Sequence, residues 1–244
     1  MNPVKPRHAI SMAYFNYGVK HFSLDTKEEL EKIIYETKYA NDLSLHVRLS
    51  VPNLNSKIDL SKKFGINLKD APKLIDQVSK IANKIGVSFH PGSQCMDPDS
   101  YKLAIQLTGN VIKKCKNKIS YLNVGGGFPS IFPGMETLKL SNYFNTIQSE
   151  LNKFKKNSLV FMSEPGRAIV AESISIVVRV DMRKGKYLYI NDGIYGSLHG
   201  ARYPGFIYPV RFITKNLKSK RNIPFSFFGP TCDSNDFMEG PFFL

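Results

Sequence analysis

The 244-residue chain contains no tryptophan and only three cysteines, Cys95, Cys115 and Cys232. So sparse and odd a count, without metal spacing, excludes a disulfide scaffold and a cysteine metal site. It fits reduced thiols in a cytoplasmic protein. No run approaches the roughly 18 uninterrupted apolar residues of a membrane span, so no membrane partner is expected. The opening residues Met1-Asn2-Pro3-Val4-Lys5-Pro6 lack the apolar core of a secretory signal. Acidic residues are scarce beside basic ones, 20 against 34, which leaves a formal net charge of +14. That excess invites a nucleic-acid reading. The lysines are dispersed, however, and clusters such as Lys113-Lys114 and the one at 215–221 do not build a single stripe interleaved with aromatics. No nucleic-acid partner is expected.

The apolar share, 42%, is enough for a sizeable core. Over the first two thirds of the chain, short apolar runs alternate with amphipathic stretches. Strands are predicted at 21–24, 43–51, 87–90, 119–124 and 159–162, and helices at 71–85 and 140–155. Thr26 and Glu29 form a capping box ahead of a helix carrying Leu30, Ile33 and Ile34. Asp97-Pro98 reads as the start of a helix running towards Cys115. Such alternation predicts parallel βαβ units over residues 1–170. Beyond Val170 the helical period stops. Strands at 174–182, 186–191, 207–212 and 224–228 between glycine and proline turns predict an all-β region over 171–244. Phe242-Phe243-Leu244 reads as an apolar stub with no closing element.

Three motifs fall where predicted strands end, the position of the active face in a parallel β/α barrel. Glu164-Pro165-Gly166-Arg167 sets a carboxylate, a tight turn and a guanidinium within four residues. A carboxylate can pair with a protonated ring nitrogen, while a guanidinium and glycine backbone meet a phosphate. Ser88-Phe89-His90-Pro91-Gly92-Ser93-Gln94 carries an imidazole able to stack on a flat ring and a hydroxyl for phosphate. Gly125-Gly126-Gly127-Phe128-Pro129 offers N–H groups that can ring an anion. Each alone has a plainer reading: a surface ion pair for Glu164 and Arg167, a satisfied strand-end histidine for His90, and an ordinary glycine turn. Further on, Cys232 and Asp233 lie in a polar turn, as a buried thiol or as a proton donor beside an anchor for a cationic group.

Taken together and in this order, the motifs resemble the fold-type III pyridoxal-phosphate decarboxylases of basic amino acids, closest to the ornithine/lysine decarboxylase branch. The likeness runs along essentially the whole chain. It implies a TIM-like parallel β/α barrel, incomplete at its start, followed by a partial all-β domain. It also implies pyridoxal 5'-phosphate (PLP) as cofactor and a homodimer with shared active sites. By position, His90 would stack on the pyridoxal ring and Glu164 would pair with its nitrogen. Arg48, Ser93, Gly125, Gly126, Gly127, Pro165, Gly166 and Arg167 would complete the cofactor site. Cys232 would reprotonate the substrate carbon, and Asp233 and Tyr203 would face the distal amine of a small basic amino acid. Asp236 and Lys63 resemble an inter-subunit ion pair. The product would be a diamine for polyamine biosynthesis.

The likeness also has departures. The Schiff-base lysine of such enzymes would precede the segment matching Met1, and their late tyrosine segment would follow Leu244. Tyr203-Pro204 stands where Tyr-Asp is common in the ornithine enzymes. Without that lysine the chain alone is not expected to be a competent enzyme. A partner-binding, catalytically inactive homologue is the alternative reading.

Overall fold

A computed structural model describes residues 2–214 and 223–244, apart from the side chains of 155–157. The basic cluster at 215–221 lies outside the described residues. The chain divides into two compact units, Met1–Pro129 with Leu138–Val170, and Ser130–Thr137 with Ala171–Leu244.

The first unit runs α1 (Arg7–Tyr17), β1 (His21–Leu24), α2 (Lys27–Glu36), β2 (Ser44–Arg48), β3 (Ser56–Ile58), α3 (Ala71–Ser79), β4 (Lys84–Ser88), β5 (Ser93–Cys95), α4 (Asp99–Lys114), β6 (Tyr121–Asn123), α5 (Leu140–Leu151), β7 (Val160–Met162) and α6 (Arg167–Val170). Five strands form a parallel sheet in the order β1-β2-β4-β6-β7, while β3 and β5 make a small antiparallel pair. Successive side chains on a strand point to opposite faces. One face here is apolar: Phe22, Leu24, Leu45, Val47, Ile85, Val87 and Leu122 are buried in one core with Ile33, Ile75 and Ile105 of the helices. On β1, β2, β4 and β6 the intervening residues are polar apart from Gly86, and strand register aligns Ser23 with His46, and Arg48 with Ser88 and Asn123. Parallel sheets are usually apolar on both faces. A polar face therefore makes this side of the sheet the candidate position of a site.

At one end of that face His46 is fully buried and lies 3.0 Å from His21, nitrogen to nitrogen. Its ring lies over Gly86, where any side chain would collide with it. Burial pushes His46 down to about 4, and the neighbouring His21 acts in the same direction. Folding therefore keeps neutral an imidazole that the unfolded chain protonates near 6.5. Stability from this group is complete above pH 6.5 and is lost as pH falls towards 4. The total is at most roughly 3 kcal/mol by proton linkage. Urea midpoints measured between pH 7 and pH 4.5 are expected to fall accordingly, and His46→Asn to flatten that slope; an unchanged slope in the variant would remove His46 from the account.

Several predicted elements differ in the structure. The helix expected over 71–85 ends at Ser79, because Asn83 and Lys84 donate to the Leu43 carbonyl and draw Ile85 into β4. Thr26 does cap its helix, accepting from the Glu29 N–H at 3.2 Å. Glu29 itself is taken by Lys5 at 3.0 Å and Lys32 at 2.5 Å, so its carboxylate serves as the hub of a cation pair.

The second unit is a four-stranded sheet ordered β11-β10-β9-β8, from β8 (Val180–Lys184), β9 (Tyr187–Ile190), β10 (Pro224–Phe228) and β11 (Phe237–Phe243). The supposed stub at the chain's end is thus a strand, and Phe242 stacks on Phe227 at 4.1 Å between ring centres. The strand predicted at 207–212 does not form; Pro209 removes a ladder donor there. Only Val180 onward of the strand predicted at 174–182 pairs.

Candidate functional site

The C-terminal ends of β2, β4, β6 and β7 bring most of the motif residues together. Arg48, Ser88, Asn123 and Met162 form one row across the four strands. His90, the glycine run and Glu164 follow just beyond it. The Asn123 amide donates to Glu164 Oε1 at 2.6 Å, and its carbonyl accepts from the Gly125 N–H at 2.9 Å. Burial works against the Glu164 charge. The hydrogen bond from Asn123 works in favour of it.

His90 Nδ1 accepts from the Gly92 N–H at 3.1 Å, which leaves the proton of the neutral ring on Nε2. Burial, reinforced by the Arg48 charge, pushes His90 down to about 4. At neutral pH the ring is uncharged and free to lie against an aromatic cation. Arg48 is half-buried, with its guanidinium 5.3 Å from the centre of the Phe64 ring.

The glycine run is fixed by its carbonyls. Gly125 O accepts from Glu164 N, Gly126 O from the Tyr101 hydroxyl, and Gly127 O from Cys95 N, each at 2.8 Å. In a planar trans peptide the next N–H points opposite to the carbonyl. The N–H groups of Gly126, Gly127 and Phe128 are thereby turned away from these tethers, and they meet no acceptor among the described residues. Gly125 and Gly127 have positive φ (70° and 96°) with Gly126 between them, the alternation of an anion-holding nest. No room exists for side chains: a Cβ on Gly125, Gly126 or Gly127 would strike the carbonyl of Phe89, Glu164 or Gly92 respectively. Gly166 is the opposite case, with open space where a side chain would go. Arg167 begins α6 directly after it. Ser93 opens β5, opposite Ile58 of β3.

A phosphate fits three consecutive unclaimed N–H groups with an arginine supplied from the end of the adjoining strand, and a protonated ring nitrogen fits an oriented carboxylate. The residues present therefore suit a flat, phosphorylated pyridine. The family model described as "Pyridoxal-dependent decarboxylase, pyridoxal binding domain" matches residues 1–171. The chain belongs to that family. Its cofactor is pyridoxal 5'-phosphate, and its architecture is the parallel β/α barrel type followed by a smaller sheet. The ornithine decarboxylase of Schizosaccharomyces pombe is 32% identical, over 96% of this chain and 56% of that protein. The lysine/ornithine decarboxylase of Selenomonas ruminantium is 26% identical, over 97% of this chain and 60% of its own length. The solved lysine/ornithine decarboxylase of Vibrio vulnificus, complexed with cadaverine, superposes with a TM-score of 0.79 at 32% identity, covering 100% of this chain and 64% of that one. The chain thus spans little more than half the length of these curated relatives.

The remaining predicted residues belong to the second unit. Cys232 is exposed. Asp233 is exposed too; it accepts a short 2.5 Å bond from the Tyr195 hydroxyl, which holds its carboxyl below the ordinary value. Tyr203 accepts from Arg202 at 3.1 Å and meets Phe206 edge-on. Asp236, which resembles one half of an inter-subunit pair with Lys63, is buried within this unit. It accepts from Ile194 N at 3.0 Å and from the Thr231 N–H and hydroxyl at 3.1 and 2.8 Å. Lys63 sits over the Phe64 ring. Among the described residues no group of three or more His, Cys, Asp or Glu could hold a metal, and no helix is long and apolar enough to cross a membrane.

Asn123 and Tyr101 were not legible as site residues. Asn123 lies two residues before the glycine run, and that place was the available signal. Tyr101 carries no signal beyond helical spacing.

Proposed function

We propose that this protein holds pyridoxal 5'-phosphate for the decarboxylation of a basic amino acid, ornithine or lysine, yielding a diamine. The observation that carries this reading is the pairing of an oriented carboxylate, Glu164, with a three-donor glycine nest and Arg167 in one unit. Glu164 is the partner of the ring nitrogen and keeps it protonated. His90, neutral and held by Gly92, covers the ring face. Gly126, Gly127, Gly166, Arg167 and Ser93 hold the phosphate. When bound, the protonated ring supplies the sink for the electron pair left by departing CO2. Cys232 then donates a proton to the substrate carbon, and Asp233 receives the distal ammonium. We further propose that the protein works as a homodimer, the Cys232 turn of one subunit serving the cofactor held by the other.

The test is PLP-dependent release of labelled CO2 from carboxyl-labelled ornithine and lysine by the chain extended at both ends to the length of its relatives, with an uncharged amino acid as control. Release confined to the basic substrates is expected; release from none of them contradicts the reading. Cys232→Ala is expected to lower the fraction of correct diamine more than total CO2 release, since protonation follows carbon–carbon cleavage. Unchanged product would remove Cys232 from that role. Arg167→Lys is expected to weaken PLP about 10-fold, because an ammonium cannot reproduce the guanidinium fork on a phosphate. Titration of PLP absorbance reads this directly.

A further inference from the structure

The hydroxyl of Tyr101 touches no ligand in the proposed grip, yet it holds the middle of the glycine nest. Tyr101 lies in α4, is fully buried, and stacks on Phe128 at 4.9 Å between ring centres, nearly parallel. Packing alone accounts for the ring, and phenylalanine would serve it equally. The oxygen is different: it donates to the Gly126 carbonyl at 2.8 Å from the far side of the loop. A second buried phenol, that of Tyr143 in α5, donates at 2.9 Å to the Cys95 carbonyl. The Cys95 N–H in turn anchors the carbonyl of Gly127.

We infer that Tyr101 is a positioning residue for the phosphate: by drawing the Gly126 carbonyl into the helix layer, its hydroxyl aims the Gly127 N–H at the anion. The peptide between Gly126 and Gly127 is planar, so its carbonyl and N–H directions are a single degree of freedom. Like the Gly125–Gly126 peptide, that peptide lies between two glycines. Its neighbours are tethered by backbone donors from β5 and the Glu164 loop, whereas this one is tethered by a side chain alone. Without the phenol it can rotate and present an oxygen to the phosphate. This inference deepens the cofactor reading above and rests on it.

The experiment compares PLP with pyridoxal, which lacks the phosphate, as ligands for the wild type and for Tyr101→Phe. Wild-type protein is expected to prefer PLP strongly. The variant is expected to bind PLP about fivefold more weakly, the effect of one neutral hydrogen bond, with pyridoxal affinity unchanged. Tyr143→Phe loses a like bond one step removed, so it is expected to lower the melting temperature while keeping the ratio of the two affinities. Equal loss of that ratio in both variants, or no loss in Tyr101→Phe, overturns the role of Tyr101. A wild type that does not distinguish the ligands overturns the cofactor reading itself. A third arm needs no variant: on titration with inorganic phosphate, the Gly127 amide resonance of the wild type is expected to move, and a stationary Gly127 overturns the inference.

Discussion

Gly127→Ala is expected to weaken PLP on the order of 100-fold, from backbone strain and displacement of its neighbours. Gly127 has φ 96°, a region that side chains enter only at a cost, and a Cβ there would run into the Gly92 carbonyl and come within 3.3 Å of His90 Cε1. Neither obstacle can give way cheaply. Gly92 has φ 110° itself and its N–H holds the His90 ring. Either the glycine nest or the imidazole must move, and both belong to the proposed grip. Gly134→Ala makes the control: its φ is 78°, but nothing stands within 4 Å of the new carbon. If PLP titrations give the two variants equal affinities, strain alone governs the effect and the nest does not hold the phosphate.

Glu164→Gln is expected to lower CO2 release about 100-fold, the scale of a charge-assisted hydrogen bond lost from a half-buried site. Glutamine keeps the length and can still accept from Asn123. Its remaining group is an NH2, which faces an unprotonated ring nitrogen rather than a protonated one. PLP affinity is expected to fall much less, since the phosphate end is untouched. Equal losses of affinity and rate would make Glu164 a plain binding residue.

The strand–helix rhythm of the first unit was readable because each strand has one apolar face and each helix an apolar stripe, and both leave a period. The motif residues were readable as a set because parallel strands deliver their ends to one rim. What escaped has no period. Ile85 fits helical spacing from Leu74 as well as it fits a strand, and only the Leu43 carbonyl decides the matter. β11 was missed because Gly240 and Pro241 interrupt a run that pairs regardless. The partners of Asp236 and the tethers of Tyr101 and Asn123 are long-range hydrogen bonds to backbone or side chain, which spacing cannot reveal.

A crystal structure of the protein soaked with PLP tests the central claim most directly. The account predicts the ring nitrogen within hydrogen-bond distance of Glu164, His90 against the ring face, and the phosphate on the N–H groups of Gly126 and Gly127 beside Arg167. A phosphate seated away from the glycine run, or a ring turned so that its nitrogen faces away from Glu164, would contradict it.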